Sequence, residues 1–307
     1  MKITILGTGT PAPSLKRACS GYMVEVEGDL IVMDHGPDAH RRLLESGKRA
    51  SDVTHAFFTH LHYDHCLDYS RLVLQRWDMG AGKVPELQVY GPKPMAHMNE
   101  LLFGANGVWD PDLKARCGHR LSLDIYELRG GELPRRRPDP KVREIAPGDV
   151  VETANWRVTV AEASHVQPYL NCNAYRLDCD AGSMVYTGDS GSVCGDIVDL
   201  AQGCDVLIHM THYEAGTEPS PEYRAGCGSH LDVAQVAKQA GVGTLVISHV
   251  LERIDRPGIR ERLLSEVTDV FEGRVIWAED LMEIPVGAGT AKAAAPNRKA
   301  GSAHQEW

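Results

Sequence analysis

The chain has no C-x-x-C pair, and its 8 cysteines are scattered over 307 residues with none of the close spacing of a disulfide framework. They read as free thiols in a reducing compartment, which places the expected location in the cytoplasm. Positive charge is also short. Lys and Arg number 32 against 42 Asp and Glu, a net charge of −10, which argues against broad electrostatic attachment to nucleic acid or an anionic membrane and leaves room only for a local basic groove. No apolar run is long enough to span a bilayer, and Met1 to Gly7 reads directly as a strand and not as a signal peptide. The glycine-rich turn Gly7-Thr8-Gly9-Thr10-Pro11 lacks both a following G-K-[ST] and a G-x-G-x-x-G pattern, so it is a tight turn before it is a phosphate loop. No internal repeat stands out.

What is present is an ordinary globular composition, 43% hydrophobic and 24% charged, long enough to bury a large core. Against that background one stretch is unusual. Thr59-His60-Leu61-His62-Tyr63-Asp64-His65 puts three histidines and an aspartate within six residues, directly after the apolar run Ala56-Phe57-Phe58. If the strand continues, alternation puts His60 and His62 on one face, and a following turn returns Asp64 and His65 to the same point. Imidazole and carboxylate are the ligands that divalent zinc, iron or manganese prefer. Three more candidates follow strand-like runs: His165 after Ala161, Asp189 after Val185-Tyr186-Thr187-Gly188, and His249 after Leu245-Val246-Ile247-Ser248. Two divalent ions sharing a water would lower its pKa toward neutrality and give a hydroxide nucleophile, with Asp64 placed to orient it or take its proton.

The remaining pattern alternates strands and helices. Strands are expected at 2–6, 22–27, 30–33, 87–90, 157–161, 173–177, 183–186, 205–209, 244–247, 274–277 and 282–284. Helices are expected at 38–46, 67–77, 95–103, 197–201, 231–240 and 256–271. Residues 104–147 are rich in glycine, proline and charge, and are expected to be a lid-like insertion, a hairpin or loops, near the site mouth. Within it the run Arg135-Arg136-Arg137 is a candidate receiver of anionic substrate, and Trp77 and Trp109 are candidate aromatic walls. Asn171 and Asn173, after Pro168 and Tyr169, are candidate substrate-facing groups. His35 and Cys66 read as buried structural residues. The domain is expected to span residues 1–285, with 286–307 a disordered tail.

The H-x-H-x-D-H motif followed by His165, Gly188-Asp189 and His249 resembles the metallo-β-lactamase superfamily. That resemblance implies an αββα sandwich: two mixed sheets face to face with helices on the outer faces. It implies two zinc ions, with manganese or iron as alternative occupants: His60, His62 and His165 on one, Asp64, His65 and His249 on the other, and Asp189 bridging. Asp34, beside Gly36, becomes the carboxylate that holds a ligand histidine. The opening Ile5-Leu6-Gly7-Thr8-Gly9-Thr10-Pro11, the segment Asp205 to His209, and Ser229-His230 running into Ser248-His249 are similar to the ribonuclease Z branch, in which a further histidine, here His230, donates a proton. Two departures count against tRNA 3′ processing. Met210 stands where that branch has the glutamate that orients the helper histidine, with His212 a substitute polar partner that could also face substrate. The segment between His165 and Asp189 is also too short for a tRNA-gripping arm. The expected function is therefore metal-dependent hydrolysis of a small ester-type substrate, phosphodiesters ahead of aryl sulfates or lactones. The alternatives are tRNA 3′ processing and a mononuclear iron persulfide dioxygenase. Relatives in the branch are often dimers, which makes a homodimer the expected partner state beside a small-molecule substrate.

Overall fold

The strand-forming stretches divide into two sheets, each of seven strands. The computed structural model describes residues 1–286; the expected tail beyond them lies outside the described residues. The first half of the chain runs β1 (Lys2–Gly7), β2 (Gly21–Val26), β3 (Asp29–His35), α1 (Ala39–Glu45), a single helical turn at Ala50–Asp52, β4 (His55–Phe57), α2 (Tyr63–Cys66), α3 (Tyr69–Gly80), β5 (Gln88–Gly91), α4 (Met95–Phe103), α5 (Asp110–Gly118), α6 (Arg120–Leu128) and β6 (Lys141–Glu144). The second half runs β7 (Val150–Glu152), β8 (Trp156–Glu162), β9 (Asn173–Cys179), β10 (Gly182–Tyr186), α7 (Gly195–Leu200), β11 (Val206–Met210), α8 (Pro221–Gly226), α9 (His230–Ala240), β12 (Thr244–Ser248), α10 (Ile259–Val270), β13 (Arg274–Trp277) and β14 (Glu283–Pro285).

The first sheet has the order β14-β1-β2-β3-β4-β5-β6 and the second β13-β12-β11-β10-β9-β8-β7. Both are mixed: β3 to β6 and β10 to β13 pair in parallel, the others antiparallel. Their central strands are continuous apolar runs because both faces are covered. Ile31 and Met33 of β3 and Val206 and Ile208 of β11 meet between the sheets. Their neighbours face outward: Leu30 and Val32 pack with α1 and α3 residues such as Leu43 and Leu72, and Leu207 packs with Val233 and Ala237 of α9. This is the expected αββα sandwich. The last strand returns to the first sheet, with Lys2 opposite Pro285. Beside it, Asp280 accepts hydrogen bonds from the Thr8 and Ala18 amides and pairs with Arg42.

The expectation of loops over residues 104–147 is corrected. Two helices and a sheet strand occupy it, and the helices join the outer layer on α3 and α4. Arg135 is inside this layer, its guanidinium 4.0 Å from the Trp77 ring centroid and 4.9 Å from that of Tyr126, paired with Asp78 at 2.6 Å. Arg137 pairs with Asp110 at 2.7 Å, and the Trp77 indole N–H donates to the Arg136 carbonyl. Two of the three arginines are therefore consumed in fixing the segment, and Trp77 and Trp109 pack against the helical layer instead of walling the site. α6 escaped notice because its Leu121, Ile125 and Leu128 are exposed, so its apolar spacing marks no core face.

Candidate metal centre

Seven side chains converge at the ends of the central strands, where chain leaves both sheets. The strand before the motif is shorter than expected. Phe58 still donates its N–H to the Tyr90 carbonyl, but the Thr59 N–H goes to Asp34 Oδ1 at 2.7 Å, and the backbone leaves the ladder there. His60 and His62 thus stand on a loop, and Asp64 and His65 lie in the single turn of α2, not on an extended strand.

In the first group the donor atoms of His60, His62, His165 and Asp189 all lie within 4.8 Å of one another. His60 Nδ1 contacts the Thr59 hydroxyl at 3.0 Å, and that hydroxyl donates on to Asp34 at 2.8 Å, so the ring proton sits on Nδ1. His165 Nδ1 donates to the Gly226 carbonyl at 2.6 Å. Both Nε2 atoms are consequently lone pairs, and they face His62 Nδ1 at 3.0 Å and 3.4 Å. The second group is Asp64, His65 and His249, again within 4.8 Å. His65 Nδ1 donates to Asp34 Oδ2 at 2.7 Å, which leaves Nε2 as a lone pair 3.5 Å from Asp64 and 3.4 Å from Asp189. A carboxylate cannot donate to it. Among the described residues His65 Nε2, Asp64 Oδ1 and Asp189 Oδ1 are all buried without a hydrogen-bond partner.

Buried lone pairs facing lone pairs are costly unless a cation lies between them. Donor atoms bound tetrahedrally at roughly 2.0–2.2 Å stand about 3.3–3.6 Å apart; the spacings here fall in that range except His60 to His62, which is shorter at 3.0 Å, so the residues fit divalent metal. Asp189 joins the groups: Oδ2 lies 3.5 Å from His165 Nε2, and Oδ1 lies 3.4 Å from the Nε2 atoms of both His65 and His249. Burial opposes ionisation of Asp189, and the rings of His249, His65 and His60 hold the carboxyl well below the usual range only when they are protonated; where they keep their lone pairs, a bound cation takes that part.

Backbone geometry sets these groups. His249 has φ +53° and Asp34 φ +55°, left-handed conformations that ordinary side chains adopt only when the surroundings impose them. A side chain on Gly188, itself at φ +57°, would stand 2.7 Å from Thr59 Cβ. That close approach of the loops after β4 and β10 carries Asp189 across to the first sheet's ligands.

A profile of the metallo-beta-lactamase superfamily matches residues 16–249, a span holding all seven candidate ligands. The chain belongs to the metallo-beta-lactamase superfamily. Among its relatives is a ribonuclease Z of Mycobacterium sp. (strain KMS), 28% identical over 294 residues, 94% of this chain and 97% of that protein. The metallo-beta-lactamase fold protein YhfI of Bacillus subtilis superposes with TM-score 0.69 at 20% identity, covering 92% of this chain and 98% of that one. The short form of human tRNase Z does so with TM-score 0.67 at 21% identity, covering 94% and 100%. Superfamily membership and the ribonuclease Z relatives make the protein a metal-dependent hydrolase. Among the described residues no helix is long and apolar enough to cross a membrane.

Not every expected residue joins this superfamily site. His230 is turned away, and its role as proton donor is corrected. Its Nε2 meets Glu266 of α10 at 2.7 Å, and its Nδ1 accepts the Ala215 N–H at 3.1 Å. Both nitrogens are spent on structure and the ring is 1% exposed. The reason was legible: Ser229 and Asp232 form a reciprocal cap at the start of α9, which puts His230 in the first helical turn, facing α10. The residue that packs against Met210 is Cys227, together with Tyr213. The Met210 sulfur accepts the Ser190 N–H at 3.0 Å. Asn173 is also corrected: it is 1% exposed, with its amide donating to the Ile145 carbonyl at 3.0 Å, closed to any substrate. Asn171 is exposed and donates to the Lys93 carbonyl. His212 lies against the site, its ring centroid 5.6 Å from that of His249. His35 bonds His40 at 3.1 Å, and Cys66 is buried, both as expected.

Proposed function

We propose that the protein is a dinuclear zinc hydrolase of phosphodiester-type esters. The observation that carries this reading is the placement of Asp189, with one oxygen toward His165 and the other toward His65 and His249, so that two ions would sit side by side. When bound there, divalent ions supply Lewis acidity and bring the pKa of a shared water toward neutrality. The protein's own part is to fix and to move a proton. Asp34 holds the His65 ring with its lone pair inward. Gly226 does the same for His165. Asp64 keeps Oδ1 buried without a partner, the atom positioned to receive the proton of the attacking water. Relatives named ribonuclease Z support the phosphodiester class, since cleaving RNA is phosphodiester hydrolysis. The presence of Asp64, His65 and His249 together weighs against a single-iron oxygenase.

Zinc-loaded protein is expected to hydrolyse bis(p-nitrophenyl) phosphate, and Asp64→Asn to abolish nearly all of that turnover. Wild-type rates in an Asp64→Asn protein carrying its full metal would refute the role of Asp64. No turnover by wild type with both metals bound would move the weight to lactones and aryl sulfates.

A second reading, tRNA 3′ processing, is favoured by full-length similarity to ribonuclease Z. Against it, β9 and β10 are joined by a tight turn at Asp180-Ala181 with no projecting arm. The test is end-specific cleavage of a 3′-extended tRNA precursor.

A further inference from the structure

We propose that His212, Tyr223 and Arg253 form a subsite beside the second ligand group that grips an anionic oxygen of the substrate, selecting charged esters over neutral ones. The inference rests on reading the metal centre as hydrolytic and names the substrate chemistry that the centre alone leaves open. Three separate elements supply the residues: the segment after β11, α8, and the loop between β12 and α10. His212 is held by its backbone, whose N–H donates to the Gly228 carbonyl at 2.8 Å, with its ring edge-on to His249 at 63°. Among the described residues neither ring nitrogen of His212 has a hydrogen-bond partner, and Nδ1 is shut off from solvent. Nε2, which is not shut off in this way, is the nitrogen left to meet a ligand acceptor. The neutral ring donates to such a ligand when its proton sits on Nε2, so His212 can act without carrying charge.

Tyr223 closes the other side, its ring centroid 5.9 Å from that of His212. Arg253, four residues beyond the ligand His249, is exposed. Its charge acts on both the His212 ring and the Tyr223 hydroxyl. Arg176, Arg224, Arg260 and Arg262 are all committed to carboxylates, whereas Arg253 forms no ion pair among the described residues. Imidazole N–H, phenol O–H and guanidinium are three donors without a carboxylate among them. That set suits a phosphoryl oxygen and offers little to an uncharged ester.

The test compares wild type, Arg253→Met, Arg253→Lys and His212→Phe, all zinc-loaded and with metal content measured. The substrates are bis(p-nitrophenyl) phosphate and its neutral methyl triester. The ratio of diester to triester kcat/KM is expected to fall about tenfold in Arg253→Met and in His212→Phe, mainly through KM, with partial recovery in Arg253→Lys. An unchanged ratio in both variants, with diester turnover intact, overturns the subsite and leaves the hydrolase reading standing. Binding of inorganic phosphate to the same proteins separates the remaining cases. If wild type has no diester activity but Arg253→Met binds phosphate about tenfold more weakly, the phosphodiester reading falls and the anion subsite stands. Equal phosphate affinity in wild type and Arg253→Met removes the subsite. Arg253 is exposed, so its variants fold.

Discussion

Asp34 Oδ2 receives the Nδ1 proton of His65 at 2.7 Å at a point where neither side chain touches solvent. The same carboxylate accepts the Thr59 hydroxyl at 2.8 Å, the Tyr186 hydroxyl at 2.6 Å and the Thr59 N–H. One buried anion thus orients a ligand ring, fixes the loop carrying two more ligands, and ties both to the second sheet. Asp34→Asn keeps the volume but turns one acceptor oxygen into a donor. Metal affinity is expected to fall about 10–100-fold, read by competition with a chromogenic chelator. Wild-type affinity would show that His65 is oriented by something else.

His230→Gln separates a structural histidine from a proton donor. Losing the Glu266 contact is expected to cost about 1–3 kcal/mol of unfolding free energy, while kcat stays within about twofold and its pH profile keeps its shape. A fall of about a hundredfold in kcat, with stability unchanged, would restore the catalytic role.

Arg135 anchors residues 104–147. In Arg135→Met the Trp77 and Tyr126 rings lose their cation and Asp78 keeps only Arg129 and Arg116. The expected cost is about 2–4 kcal/mol in urea unfolding, below that of a wholly unpaired buried charge. Hydrolysis by the folded fraction should be unaltered. A stable variant that loses activity would mean the arginine run does reach the substrate.

The His209 ring is pushed down to about 4 by burial, against the opposing pull of the Met210 carbonyl. The unfolded side chain titrates near 6.5. Between those values the unfolded state binds a proton that the folded state refuses, so this contribution is complete above about pH 6.5 and drains away as pH falls toward about 4. From about pH 6.5 to about pH 5 the loss is about 2 kcal/mol. Wild type compared with His209→Gln isolates it: the variant's urea midpoint should vary less with pH. Equal slopes would place the ring in solvent.

How much of this could be read in advance depended on what kind of signal each residue left. The two clusters of candidate ligands were legible because histidine and aspartate rarely cluster as they do from His60 to His65, and because His165, Asp189 and His249 each follow a strand run. The sandwich was legible in strands buried on both faces, such as Leu245 to Ile247. Direction was harder. His230 looked available because the sequence gives residue type and not the side of α9 on which the ring lies, although Ser229 and Asp232 marked the helix start. Asn173 looked polar and near the site, yet its amide is spent on Ile145. α5 and α6 were missed because their stability comes from ion pairs such as Arg116 with Asp112 and from Arg135 between aromatic rings. Such ion pairs leave no apolar rhythm in α5, and the rhythm that α6 does carry, at Leu121, Ile125 and Leu128, went unread among the glycines, prolines and charges of residues 104–147.

The pairing of the last strand with the first has a consequence for synthesis. Every metal ligand has been translated by His249, and the second sheet by Trp277, but β1 still lacks its outer neighbour, and Thr8, Ala18 and Arg42 still lack Asp280. The first sheet therefore gains its outermost strand and the Asp280 contacts only from the end of the described chain. Such long-range dependence slows folding and prolongs exposure of unfinished edges. A released chain that stops after Trp277 should thus remain protease-sensitive although it carries every candidate ligand.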